Sequence, residues 1–197
     1  MSKLVAVDVA ILPPADVAAR VIGYSAALPA EGSRGLRLDA EHIPHITLTQ
    51  QFVREEELDA ASARIDACVE DLVPLRLTAT GAGQSGHTLW IAIENAPELM
   101  GLHERLMEEL RGFERPDGGP HAFFNGEGRI GDVLWVTGYR LKASFGHFTP
   151  HITLGHGTEP PPIEPFTFDA ATVAACHLGR FCSCRRVLRA WTLPVSR

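Results

Sequence analysis

The sequence predicts an α+β fold built as a pseudo-repeat, and three observations carry that prediction. The pentapeptide Pro-His-Ile-Thr-Leu occurs at residues 44–48 and returns, 106 positions on, at residues 150–154. Apolar residues recur with a period of two in some stretches and 3.6 in others, marking strands and helices in turn. The order strand–helix–strand then comes round twice.

Successive side chains of a β-strand point to opposite faces, so the His and Thr of each pentapeptide share one face, and the Ile and Leu the other. Each copy reads as a strand with an apolar back and a polar front. Two such fronts turned toward each other gather His45, Thr47, His151 and Thr153 around one small polar site.

Leu4–Leu12 (LVAVDVAIL) is rich in Val and Ile and stops at Pro13-Pro14, a buried strand in which Asp8 is the oddity. Ala15 to Leu28 carries Val17, Val21 and Leu28 on one helical face. Residues 29–40 hold Gly32, Ser33 and Gly35 and read as loop before the first motif strand, His45 to Val53. Glu55 to Leu72 is the clearest helix, with an apolar stripe of Leu58, Ile65, Cys68 and Leu72 and acids at its start, where the helix dipole favours them.

Leu75–Thr80 alternates as a half-buried strand; Gly81–Gly86 reads as a turn, and Thr88–Ile93 as its hairpin partner. Asn95 with Glu98 marks a helix start, continued by Leu99, Leu102, Leu106 and Leu110. Residues 115–131 are loop. Val133–Leu141 (VLWVTGYRL) reads as a strand broken at Gly138, the second motif strand spans Thr149–Gly155, and Phe166–Leu178 and Arg186–Leu193 read as two final strands.

A chain of 197 residues, 45% hydrophobic and 21% charged, fits one globular domain, taken here as residues 1–197. A net charge of −6 argues against a general nucleic-acid coat protein, although almost every cation is an arginine, the side chain suited to bidentate phosphate contacts. The opening residues lack a cleavage site and no apolar run is long enough to span a bilayer, so a cytoplasmic location without membrane contact is expected. Cys68, Cys176, Cys182 and Cys184 do not make a disulfide framework. Cys182-Ser183-Cys184 has no second pair at zinc-site spacing, so these thiols read as structural.

The paired pentapeptides resemble the 2H phosphoesterase superfamily, in particular its 2′-5′ RNA ligase-like and 2′,3′-cyclic phosphodiesterase branch. The resemblance extends to the opening strand Val5–Leu12, the helix after the first motif, Leu75–Gly83, the strand around Trp90 and the ending 187–193. It implies a two-lobed pseudo-symmetric fold, each lobe an antiparallel sheet with helices on its outer face, and a central cleft between. By the same resemblance His45 and His151 are the catalytic pair and Thr47 and Thr153 the hydroxyls that contact phosphate. The implied substrate is an RNA end or a small cyclic or 2′-5′ linked nucleotide, with no cofactor, no metal and no obligate protein partner, in a monomer. Three features depart from related branches: Thr49-Gln50-Gln51 after the first motif, Gly155-His156-Gly157 after the second, and the long segment 115–148. Gln51, His156, Phe148 and Trp135 are the candidate substrate contacts; Trp135 reads equally well as core of an alternating strand.

Attack on a phosphodiester needs a base on the incoming oxygen and an acid on the leaving one. Histidine, with an ordinary pKa of about 6.5, supplies both forms near neutrality. Two other readings compete. His42, His45, His151 and His156 could hold a metal ion, although a spacing of three on a strand puts His42 and His45 on opposite faces. A non-catalytic RNA- or nucleotide-binding module could use the same cleft.

Overall fold

A computed structural model describes residues 2–194; Met1 and residues 195–197 of the expected domain lie outside the described residues. The elements are β1 (Leu4–Leu12), α1 (Ala15–Ala26), β2 (Ile46–Arg54), α2 (Leu58–Val69), β3 (Leu75–Ser85), β4 (Thr88–Ile93), α3 (Pro97–Glu109), α4 (Ile130–Lys142), β5 (His151–His156), β6 (Phe166–Ala170), β7 (Thr172–Leu178) and β8 (Cys184–Thr192). The strands make two antiparallel sheets of four, ordered β2-β1-β7-β8 and β5-β4-β3-β6. Each motif strand is therefore the edge of its own sheet, with β1 and β4 as the corresponding neighbours.

One apolar face of each sheet enters a shared core. Val5, Val7, Val9 and Ile11 of β1 come from the first sheet, and Leu89, Ile91 and Ile93 of β4 from the second. Helices α1, α2 and α3 close it with stripes such as Leu99, Leu102 and Leu106, whose spacing of three and four keeps them on one side. The opposite face of the first sheet carries Ala6 and Ala10 and packs with Phe52, Phe123 and Val136 into a smaller second core beneath α4. Among the described residues, no helix is long and apolar enough to cross a membrane.

Three sequence assignments are corrected. Residues 133–141 are helical, not extended. Their Val, Trp, Thr and Tyr favour strands, but Asp132, Val136 and Tyr139 are the buried positions, and only a helix puts residues four and three apart on one side. The start is fixed by Asp132, whose carboxylate accepts the Arg129 backbone N–H at 2.9 Å and pairs with its guanidinium. Trp135 is consequently not core but 42% exposed.

Residues 81–85 continue β3 instead of turning. The extra residue sits at Thr80, where pairing with β4 steps from Ala79 to Gly81, and the reversal falls at Gly86 and His87. Residues 166–178 form two strands in different sheets, β6 beside β3 and β7 between β1 and β8. Burial marks the break: β6 alternates as an edge strand should, whereas Val173–Cys176 is buried throughout, as in a central strand covered on both faces.

Candidate active site

Both motif strands are bulged, and at the same letter. Pairing of β1 with β2 steps from Val9–Thr49 to Ala10–Thr47, leaving Leu48 as the extra residue. Pairing of β4 with β5 steps from Leu89–Gly155 to Trp90–Thr153, leaving Leu154. A bulge resets the in–out alternation. The side chains that reach the cleft are therefore His45, Thr47 and Gln50 on one strand, and His151, Thr153 and His156 on the other. The two triplets keep the offset of 106 residues.

Buried donors hold each bulge. The Leu48 carbonyl accepts Nδ1–H of His103 at 2.6 Å and the Tyr139 hydroxyl at 3.3 Å. The Leu154 carbonyl accepts the Ser25 hydroxyl at 2.5 Å. Gly155 follows at φ +144°, and a Cβ there would stand 2.7 Å from the Leu36 carbonyl oxygen, so glycine is required.

The histidines are aimed in matching ways. Nδ1 of His45 lies 2.7 Å from the Ile43 carbonyl, and Nδ1 of His151 lies 2.7 Å from the Thr149 carbonyl. A carbonyl only accepts, so each Nδ1 carries a proton and each Nε2 is left for chemistry. Burial holds both imidazoles below the ordinary histidine value, and for His151 the neighbouring His45 adds to the effect.

The surroundings differ between the lobes. Asp8, fully buried on β1, accepts the Thr47 hydroxyl and the Gln50 amide on Oδ2, both at 2.7 Å, and this oxygen lies 3.7 Å from His45 Nε2. Burial pushes its carboxyl up to about 7 against those two hydrogen bonds. Thr153 has no such partner among the described residues, and the Trp90 ring lies 5.5 Å from that of His151. His156 is pushed down to about 4, first by burial and then by Arg34, Arg129 and Arg37, so its imidazole is neutral at neutral pH.

These groups line a cleft of about 560 Å³, within the range that takes a small organic ligand. Of the sequence candidates, His45, Thr47, His151, Thr153, His156, Trp135 and Phe148 all line it. The Phe148 ring is already engaged, stacked on His103 with centroids 3.9 Å apart. Gln51 is buried away from the cleft, because the Leu48 bulge sends Gln50 forward in its place. Nor do the four histidines form a metal site: His42 pairs with Asp39 at 2.9 Å, and among the described residues the group close enough to share an ion is Asp8, His45 and Cys184.

Sequence reasoning missed three contributors. Asp8 stood out as a charge in an apolar strand, the one visible signal. Gln50 was hidden by the bulge. Phe181, at φ +63°, sits under the Arg129 guanidinium at 3.7 Å and beside His156 at 4.8 Å, and its loop carries no local signature.

Two lobes, each presenting a bulged His-x-Thr strand to one cleft, define the class of two-lobed α+β proteins to which 2H phosphoesterases belong. The chain is a member of the 2′-5′ RNA ligase superfamily, whose model matches residues 13–177. Among solved structures, Escherichia coli LigT complexed with 3′-AMP superposes with a TM-score of 0.65 at 21% identity, covering 97% of this chain and 99% of that one. LigT complexed with NADP+ gives 0.63 at 20% identity, over 97% and 99%. TT0787 of Thermus thermophilus gives 0.64 at 20% identity, over 98% and 100%. At these identities the likeness is one of fold. A search of curated proteins gives no match.

Proposed function

We propose that this chain is a metal-independent phosphoesterase that opens a 2′,3′-cyclic phosphate or cleaves a 2′-5′ linkage, with His45 and His151 as its acid–base pair. The observation that carries the proposal is the matched aim of the two imidazoles, each pinned through Nδ1 with Nε2 toward one cleft. The neutral imidazole takes a proton from water, whose oxygen attacks phosphorus. The protonated one gives its proton to the departing ribose oxygen, and the products leave with the two protonation states exchanged. Nucleotide-sized neighbours support the substrate class, since LigT structures hold 3′-AMP, ATP and NADP+. The half-exposed Trp135 and the Arg129–Phe181 pair offer surfaces on which a base can stack. The chain is taken to act as a single two-lobed monomer.

The direct test is hydrolysis of 2′,3′-cyclic mononucleotides and a 2′-5′ linked dinucleotide with EDTA present. Turnover that survives chelation supports the acid–base pair. Tight binding without turnover of either substrate would replace it with a nucleotide-binding module.

Two further results are expected. Both histidines titrate below about 6.5, so kcat/KM should be bell-shaped with its maximum on the acid side of that value. On the acid limb the base gains a proton; on the alkaline limb the acid loses one. A maximum above about pH 7.5 in a kcat/KM profile contradicts this. The threonines are not equivalent: the Thr47 hydroxyl donates to Asp8, leaving Thr153 the freer donor to phosphate. Thr153→Val should lower kcat/KM by about 10–100-fold and Thr47→Val by less, as steady-state kinetics of the two variants will show.

A further inference from the structure

We infer that Asp8, His45 and Cys184 form a binding site for a thiophilic divalent cation, Zn²⁺ in type, and that occupancy switches off the catalytic histidine. The second half of this inference rests on the acid–base reading of His45 given above; the first half does not.

One ligand atom from each of the three residues lies within 4.8 Å of the other two. His45 Nε2 and Asp8 Oδ2 are 3.7 Å apart. Neighbouring ligands around tetrahedral zinc stand about 3.3–3.7 Å apart, given Zn–N, Zn–O and Zn–S bonds of about 2.0–2.3 Å. The imidazole and carboxylate thus stand at about ligand spacing, and the thiol, within 4.8 Å of both, needs to close by at most about 1–1.5 Å. Asp8 offers a second oxygen beside the Oδ2 that stands 3.7 Å from His45. Its Oδ2 is occupied by Thr47 and Gln50, whereas Oδ1 is buried with no hydrogen-bond partner among the described residues. A buried carboxylate oxygen without a donor is stabilised by a cation brought against it.

The scaffold is rigid where it must be. Asp8 and Cys176 face each other across β1 and β7, and Cys184 opens β8 beside β7, so three strands of one sheet fix two of the ligands. Nδ1 of His45 is tied to the Ile43 carbonyl, and the same loop is bonded to Cys184 itself through the Ile43 N–H at 2.9 Å. Imidazole, thiolate and one carboxylate select zinc-like ions, whereas Mg²⁺ and Ca²⁺ require shells of oxygen. Binding converts the Cys184 S–H to a zinc-bound thiolate and releases that proton to solvent. It also consumes the His45 Nε2 lone pair, the group that the reaction requires. No spacing motif marks these residues as ligands, because they come from three separate segments.

The test uses the whole protein in two readouts. Titration with Co²⁺ in place of zinc should give a cobalt–thiolate charge-transfer band that Zn²⁺ abolishes and Mg²⁺ leaves unchanged. Cys184→Ser should lose the band, while Cys182→Ser retains it. Should Cys184→Ser fold poorly by circular dichroism, Asp8→Asn supplies the second variant, expected to weaken cobalt binding by about tenfold or more. In the second readout, Zn²⁺ should inhibit cyclic nucleotide hydrolysis reversibly by EDTA, and Cys184→Ser should raise the half-inhibiting concentration by about tenfold or more. Absence of a thiolate band in the wild type, or its persistence in Cys184→Ser, overturns the site. A band in a protein with no phosphoesterase activity upholds the site and removes only the inhibitory role.

Discussion

Replacing either motif histidine by alanine, as His45→Ala or His151→Ala, is expected to lower turnover of a 2′,3′-cyclic nucleotide by about 10²–10⁴-fold each. On the proposed mechanism, the magnitude follows from removing one of the two proton-transfer partners. Neither ring holds the fold together. Each side chain is tied by one hydrogen bond to a carbonyl two residues earlier in its own segment, so truncation leaves the long-range bonds of the sheets intact. Both variants should therefore unfold within a few degrees of the wild type. The double variant should be little worse than either single one, because residues that act as a unit lose their joint effect together. Near-wild-type hydrolysis by either single variant, with melting curves unchanged, defeats the assignment.

The largest expected effect on stability is at His103, a residue outside the motifs. Its Nδ1–H donates to the carbonyl of the bulged Leu48 at 2.6 Å, and its Nε2 accepts the backbone N–H of Phe145 at 2.9 Å. One neutral ring thus joins the first motif strand to the 3₁₀ turn that leads into the second. In His103→Leu the shape is roughly kept and both bonds are lost. Leu48 retains the Tyr139 hydroxyl, but the Phe145 N–H is left without a partner. An orphaned, part-buried donor costs toward the lower end of about 1–3 kcal/mol, and loss of the Leu48 bond and of the stack on Phe148 adds to it. A total of about 2–4 kcal/mol corresponds to a fall of about 5–15 °C in Tm for a chain of this size. Thermal denaturation decides it, and a change under about 2 °C would remove His103 from this role.

The same site has a pH signature. Burial holds the His103 pKa in the folded chain below the ordinary value, so between that lowered pKa and about 6.5 the unfolded chain binds a proton that the folded one refuses. Stability falls as pH drops through this window, and His103→Leu should flatten part of the slope.

Much of the site is legible in the chain because a strand's alternation is a local property. Two copies of Pro-His-Ile-Thr-Leu fix which faces carry His and Thr, whatever the sheets do around them. The Leu-rich stripe of α3 is equally local, since a spacing of three and four suffices to define a helix face. Legibility ends where a choice depends on the partner strand or on covering elements. The stretch 133–141 has strand-like letters and becomes α4 because Asp132, Val136 and Tyr139 find burial on one side of a helix. Phe166–Leu178 looks continuous and is shared between two sheets.

That two His-x-Thr strands exist, with apolar backs that must be buried and polar fronts left over, follows from the order of the residues alone. What joins them is settled by the folded chain. A bulge at each motif leucine resets the alternation and brings forward Gln50 and His156, while Gln51 is buried away from the cleft. The pairing of β1 with β2 and β7, and of β7 with β8, then sets Asp8 and Cys184 beside His45. Alternation acts over neighbouring residues, whereas a bulge and a buried carboxylate answer to strands far away along the chain.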